Sequence, residues 1–227
     1  MATLWDKATA ESGNTTAFDN VTAAGSNTFT ASTAQHYEGS YAYCAHGVDG
    51  SAFADMTYTG QDEIYEEFYV YIPSTLRSSV TWSYILCSLI RYDAYTGLLD
   101  LYIETDGDGV PFRWTCIEAG WASSTTNFAT DQWIKIEMYW HYVGAGSSVW
   151  WIKAGGSTIY SSSTATPGAT TCTFSSFGMD AIFTNGVGDL YFDNIRGHDQ
   201  EEAEPEEPSG GSIIPVIIYN LQQQGML

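Results

Sequence analysis

Charge is what this chain of 227 residues has least of. Only 15 % of it is Asp, Glu, Lys or Arg, and seven bases stand against 27 acids for a net charge of -20. So few cations cannot form a patch that collects a phosphate backbone, and the acid surplus repels one, so nucleic-acid binding is excluded. Charge of this size speaks to solubility rather than to fold. Cysteine is scarce too: Cys44, Cys87, Cys116 and Cys172 lie far apart with no C-x-x-C pair. That spacing argues against a zinc site or a redox motif, and predicts buried free thiols, with two disulfides as the alternative if the chain is exported. No apolar stretch of the body approaches the roughly 20 residues that span a bilayer. Met1-Ala2-Thr3-Leu4-Trp5 lacks the basic start and apolar core of a secretory signal. Synthesis and assembly in a cytoplasm are therefore expected, with an extracellular location as the alternative.

Aromatics, glycine and hydroxyl residues fill the space that charge leaves. The chain holds 16 Tyr, 8 Trp and 22 Gly, a strand-and-turn composition. Residues 1 to 60 carry short segments such as Thr28-Phe29-Thr30 and Ser40 to Ala45, which read as edge or connecting strands. Glu63 to Ile72, stopped by Pro73, and Trp82 to Tyr92 read as two central strands. Leu98 to Thr105 alternates, with Leu99, Leu101 and Ile103 on one face and Asp100, Tyr102 and Glu104 on the other. Asp106-Gly107-Asp108-Gly109 then turns the chain into Phe112 to Glu118 as a hairpin. Gln132 to Trp140 alternates again, Val149 to Lys153 and Thr158 to Tyr160 make a second hairpin, and Asp189 to Arg196 is the last body strand. About ten such runs without an amphipathic helix predict an all-β, two-sheet antiparallel sandwich.

Beyond this body, residues 1–198, the chain changes character twice. Asp199 to Glu207 holds six acids and no base, and Pro208-Ser209-Gly210-Gly211 follows. Such a run buries too little apolar surface to offset its ordering entropy, so residues 199–212 read as a solvated linker. Residues 213–227 form an extended C-terminal tail with an apolar start: Ile213, Ile214, Pro215, Val216, Ile217, Ile218, Tyr219 and Leu221. This segment is too short to span a membrane and reads as a docking peptide for the groove or sheet edge of another subunit, with a homo-oligomer expected.

Four places in the body carry a resemblance. They are Glu11-Ser12-Gly13 with Phe18, Gln35 to Ala42, Asp131 to Glu137, and Leu190-Tyr191-Phe192-Asp193-Asn194-Ile195. Over roughly residues 5 to 197 the chain resembles the concanavalin A-like lectin and glucanase superfamily, in particular its laminin-G-like jelly rolls. The C-terminal Ile-Pro-Val-Ile-Ile-Tyr-Asn-Leu-Gln-Gln-Gln looks like the ends of bacteriophage structural proteins. The first resemblance implies a jelly roll and a structural calcium ion tying the N-terminal strand to the last one, at Glu11, the Glu38 to Ser40 turn and Asp193. No other cofactor is expected.

Retaining glycosidases on this scaffold place two carboxylates on one strand face, and Glu63, Glu66 and Glu67 lack that pattern because Glu66 points away from the other two. Glu104, Asp106 and Asp108 alternate, but run into a turn where acids are at home. His36, His46, His141 and His198 could supply a nucleophilic triad only with an elbow that is absent. A β-eliminating lyase would want Tyr, His and Arg clustered on a concave sheet, and seven bases leave little to hold a uronate. Asp106 with Asp108 falls short of a calcium loop. Sugar stacking would use exposed aromatics, with Trp121, Trp140, Trp150 and Trp151 as the candidates, and adjacent Trp150 and Trp151 must point to opposite faces. The residues together predict a non-enzymatic virion structural or capsid-decoration protein, displayed on the virion surface and anchored by its tail, with surface glycans as further partners. The alternative is a carbohydrate-binding lectin-like module or glycoside hydrolase of the concanavalin A-like superfamily.

Overall fold

The computed structural model describes residues 3–48, 50–78, 84–92, 97–118, 121–165, 169–179 and 186–199. Sixteen strands and one short 3-10 turn, Ala10–Ser12, make up the described part. The strands are β1 (Thr3–Ala8), β2 (Asn20–Ala23), β3 (Thr28–Ser32), β4 (Ala42–Gly47), β5 (Ala52–Gln61), β6 (Glu63–Tyr71), β7 (Arg77–Ser78) and β8 (Tyr84–Arg91). They continue as β9 (Gly97–Thr105), β10 (Pro111–Glu118), β11 (Trp121–Asn127), β12 (Trp133–Gly144), β13 (Ser147–Ala154), β14 (Ser157–Ala165), β15 (Cys172–Met179) and β16 (Gly186–His198).

Two antiparallel sheets form a jelly-roll sandwich. Sheet A runs β14-β13-β12-β6-β16-β4-β3, with β1 and β7 also pairing to β16; sheet B runs β11-β10-β9-β8-β15-β5-β2. The turns follow from the residues at them. Asp106 Oδ1 accepts the amides of Asp108 and Val110 at 2.9 Å each and closes the β9–β10 turn. Gly155 and Gly156, at φ 57° and 79°, make the two-residue β13–β14 turn in a conformation that favours glycine.

Period-two alternation decides what is inside. Ile64, Phe68 and Val70 of β6 and Ile134, Ile136, Met138 and Trp140 of β12 face Leu99, Leu101 and Ile103 of β9 and Trp114 of β10, all at most 9 % exposed. Phe177 of β15 meets Phe68 at 5.3 Å and Phe192 at 6.4 Å, in edge-to-face contacts that tie the two sheets. Each fully buried aromatic of this kind contributes on the order of 2–3 kcal/mol by area alone. The four cysteines are free and buried. Burial pushes the Cys44, Cys116 and Cys172 thiols up to about 12, and Cys87 higher still, so none is a ready nucleophile.

Two details differ from the sequence reading. β4, taken there as an edge or connecting strand, lies between β16 and β3. Cys172–Met179, not marked as a strand, runs between β8 and β5 in sheet B. It holds two serines and a glycine, which disguise it. Gly178 sits at φ 134°, and a Cβ there would run into the Ala52 carbonyl oxygen and Phe53 Cα. Gly178→Ala is therefore expected to cost at least about 2 kcal/mol, read from urea denaturation.

Candidate functional site

Both sheets carry titratable side chains on the faces turned away from the core. On sheet A the cross-strand register sets them in rows. Trp151, Tyr139, Tyr65 and His198 lie side by side, and so do Lys153, Glu137, Glu67 and Arg196. Trp151 stacks near Tyr139 at 5.6 Å, and the Lys153 ammonium lies 4.5 Å from the Trp151 ring centroid. Lys135 Nζ reaches Glu67 Oε2 at 2.8 Å and Glu137 Oε1 at 3.5 Å, and Arg196 Nη1 reaches Glu67 Oε1 at 3.1 Å. Burial works against the Lys135 ammonium, but the hydrogen bond and charge of Glu67, aided by Glu137, hold its pKa above the usual lysine value. The Tyr65 hydroxyl donates to Glu137 Oε1 at 2.9 Å, and the Tyr139 hydroxyl to Glu63 Oε1 at 2.8 Å with His141 Nδ1 at 3.2 Å. Glu67 and Glu137 stand opposite each other, but an ammonium and a phenol occupy the space between them. Carboxylates matched to cations in this way hold the sheet face together.

Sheet B differs in kind. Asp100, Tyr102 and Glu104 share the outer face of β9, Arg113 and Thr115 stand beside them on β10, and Arg91 ends β8. Arg113 grips Glu104 with both arms, Nε to Oε2 at 2.7 Å and Nη2 to Oε1 at 2.6 Å, and the Thr115 hydroxyl donates to Oε2 at 2.8 Å. Asp100 is held more loosely: the Tyr102 hydroxyl donates to Oδ2 at 3.2 Å and Arg91 Nη2 lies 3.5 Å from the same oxygen. Oδ1 of Asp100 is buried and has no hydrogen-bond partner among the described residues. With 6 % of the residue exposed, burial pushes its pKa up to about 6, against the opposing pull of Arg91 and Tyr102. One strand face thus presents a carboxyl group that keeps its proton in weakly acidic solution and, two side chains further on, a carboxylate fixed by a guanidinium. A carboxyl group raised by burial beside specific charged and hydroxyl partners marks a candidate acid/base site. Farther across the same sheet the Ser176 hydroxyl donates to Asp55.

The residues singled out in the sequence fall in several places. Glu66 points into the core while Glu63 and Glu67 face outward, as the spacing requires. Trp140 and Trp150 are 0 % and 2 % exposed, so these two are core residues and offer no sugar a platform, a correction to the sequence reading. Trp151 points outward as half of the adjacent pair, and Trp121 lies in β11 with its side chain outside the described residues. Glu11, Glu38 and Asp193 gather around the loop at residues 37–41. Glu11 Oε1 accepts the amides of Ser40 and Tyr41 at 2.8 and 2.9 Å. Asp193 Oδ2 accepts those of Tyr37 and Glu38 at 3.0 and 3.1 Å, and Asn194 Nδ2 donates to Glu38 Oε2 at 3.0 Å. These hydrogen bonds fall on Oε1 of Glu11, Oδ2 of Asp193 and Oε2 of Glu38, and among the described residues no group of three or more His, Cys, Asp or Glu is set to hold a metal ion. The docking peptide, Ile213 to Tyr219 with Leu221, lies outside the described residues. Among the described residues no helix is long and apolar enough to cross a membrane. The Asp100–Glu104 pairing escaped the sequence reading, which matched Glu104 to the turn acids Asp106 and Asp108, although the alternation of β9 had already put Asp100 on the same face.

No family model matches the chain, and no curated protein does. Solved structures do. An endo-β-1,4-glucuronan lyase from the fungus Trichoderma reesei superposes with a TM-score of 0.63 at 10 % identity, over 82 % of this chain and 92 % of that one. The alginate lyase Aly36B gives 0.56 at 10 % identity, over 89 % and 98 %. A sialidase gives 0.57 at 10 % identity over 85 % of this chain, which corresponds to 18 % of its own length. Identities this low establish the shared fold alone. The neighbours nonetheless overturn the expectation of a non-enzymatic chain, because the jelly rolls it matches nearly end to end are polysaccharide lyases. The likeness to phage structural proteins finds no support among them. The chain is similar in fold to carbohydrate-active jelly-roll enzymes.

Proposed function

We propose that the chain is a carbohydrate-active enzyme that cleaves glycosidic bonds across the outer face of sheet B. The observation that carries this reading is Asp100, a buried carboxyl group holding its proton up to about pH 6 on the same strand face as the carboxylate of Glu104. Asp100 is the general acid that protonates the leaving glycosidic oxygen. Glu104 lies four residues on, roughly 13 Å away between Cα atoms by strand rise. That exceeds the carboxyl spacing of a retaining pair, about 5 Å, and of an inverting pair, about 6.5–9.5 Å, so Glu104 serves to fix the site and Asp100 is the acid assigned. Arg113 and Thr115 hold the Glu104 side chain in place.

A second reading, β-elimination from a uronate polymer, is supported by the Tyr102 hydroxyl beside Asp100 and by Arg91 and Arg113 on the same face, two of the four arginines in the chain. In this reading Arg91 and protonated Asp100 neutralise the uronate carboxylate while Tyr102 exchanges protons with the sugar. The fold shared with two lyases adds to it. Incubation with a panel of neutral and uronate polysaccharides decides. New reducing ends alone indicate hydrolysis, ultraviolet-absorbing unsaturated ends indicate elimination, and no new ends from any polymer overturns both.

A further inference from the structure

Sheet A ends at β14 and sheet B at β11, and between these two edges opens a cleft of about 430 Å³. Half-buried Phe128 and Trp133 give it aromatic walls, with Trp114, 1 % exposed, packed behind Phe128 at 4.7 Å, and Asn127, Gln132 and Thr158 supply amides and a hydroxyl. Gln132 spends one donor on the Ala129 carbonyl at 3.3 Å. No acid is among the lining residues, in a chain with 27 acids. The one lysine of the lining, Lys135, has its ammonium drawn 2.8 Å from Glu67 on the outer face of sheet A. The chemistry of the cleft is therefore uncharged and amphipathic.

We propose that this cleft is a binding site for a neutral saccharide, separate from the face that carries Asp100. A sugar ring has an apolar face that rests on indole or phenyl and a rim of hydroxyls that exchange hydrogen bonds with side-chain amides and with the outer backbone edges of two end strands. The volume suits about two rings. A uronate would bring a carboxylate into a site with no free cation among its lining residues, and a polyvalent cation would find no carboxylate there, so both are disfavoured. The two sites lie on opposite sides of one sheet: Trp114 enters the cleft from the core side of β10, while its neighbours Arg113 and Thr115 stand on the outer face. The inference goes beyond the catalytic reading and does not depend on it.

Titration of the full chain with a β-linked glucose oligomer and with a glucuronate oligomer of equal length, followed by tryptophan fluorescence, tests it. Saturable binding of the neutral oligomer is expected, weakened at least tenfold by Trp133→Ala and by Asn127→Ala. Asn127 is exposed, so its variant keeps the fold even if the loss of Trp133 disturbs neighbouring Tyr71. The proposal is overturned if the neutral oligomer does not bind, if the uronate binds more tightly, or if Asn127→Ala leaves binding unchanged. Activity on polysaccharides stands or falls separately, since it is read from new chain ends and not from binding in the cleft.

Discussion

Asp100→Asn is expected to slow glycan cleavage by at least about a hundredfold, because proton donation by a positioned acid contributes roughly that much or more. Asn keeps the shape and the hydrogen bond from Tyr102 but carries no proton to give, so the loss should fall on kcat and leave KM near its original value. The pH profile supplies an independent reading. Burial pushes Asp100 up to about 6, so the acid is protonated below that pH and ionised above it. Wild-type activity should therefore decline as pH rises through about 6, and the residual activity of the variant should not show that limb. At neutral pH the variant should fold about as stably as the parent, since the burial penalty on the ionised acid that it removes offsets the lost Arg91 contact. A melting temperature that falls along with activity would mean that Asp100 supports structure and leaves the chemistry to other groups.

Glu66→Gln should flatten the dependence of stability on pH. Glu66 is 0 % exposed, the hydroxyl of Ser175 from the opposite sheet donates to its Oε1, and its Oε2 has no hydrogen-bond partner among the described residues. Tyr58 approaches the same serine at 3.1 Å. Burial raises the Glu66 pKa from 4.5 to about 8, against the opposing hydrogen bond of Ser175. The unfolded chain releases this proton near pH 4.5 and the folded chain keeps it to about pH 8. The contribution is thus fully present below 4.5 and is lost progressively as pH rises to 8, by about 3 kcal/mol at neutrality and about 5 kcal/mol above pH 8. Gln leaves an amide donor unpaired and lowers the stability at acid pH by about 1 kcal/mol, but it does not titrate. Urea unfolding of both proteins from acid to alkaline pH checks the slopes. Parallel curves would show that Glu66 is ionised, or hydrated, in the folded state. The nearby titrating groups Tyr58 and Cys172 are both raised by burial, Cys172 to about 12, and stay out of this window.

Much of the sandwich can be read from alternation. β6, β9, β12, β13 and β16 announce themselves through apolar side chains at every second position, and Asp-Gly and Gly-Gly mark their turns. β15 is harder to see because its core-facing Ser175 partners a buried acid from the other sheet rather than an apolar neighbour, a pairing that only the folded chain creates. β5 uses Ala52, Ala54 and Met56 for its inward face, small side chains that give a weak periodic signal. The candidate site was half legible. The face shared by Asp100, Tyr102 and Glu104 follows from the period of two, whereas their unequal environments depend on Arg113 reaching Glu104 across the β9–β10 hairpin and on how deeply Asp100 is covered. Of the three glutamates on β6, Glu66 lies in the core, Glu67 in the ion-pair network on sheet A, and Glu63 beneath the Tyr139 hydroxyl.

That division is what separates the two outer faces. Sheet A offers an aromatic row and more charged groups, yet its closest acids already share Lys135, Arg196 and Tyr65. Sheet B offers fewer groups and one acid that retains its proton. A crystal structure of the Asp100→Asn variant soaked with an oligosaccharide that the wild type cleaves tests this assignment most directly. The predicted result is a sugar chain lying across β9 and β10 with a glycosidic oxygen within about 3 Å of the side chain at position 100. A chain bound only on the outer face of sheet A, or only in the cleft between β11 and β14, would contradict it.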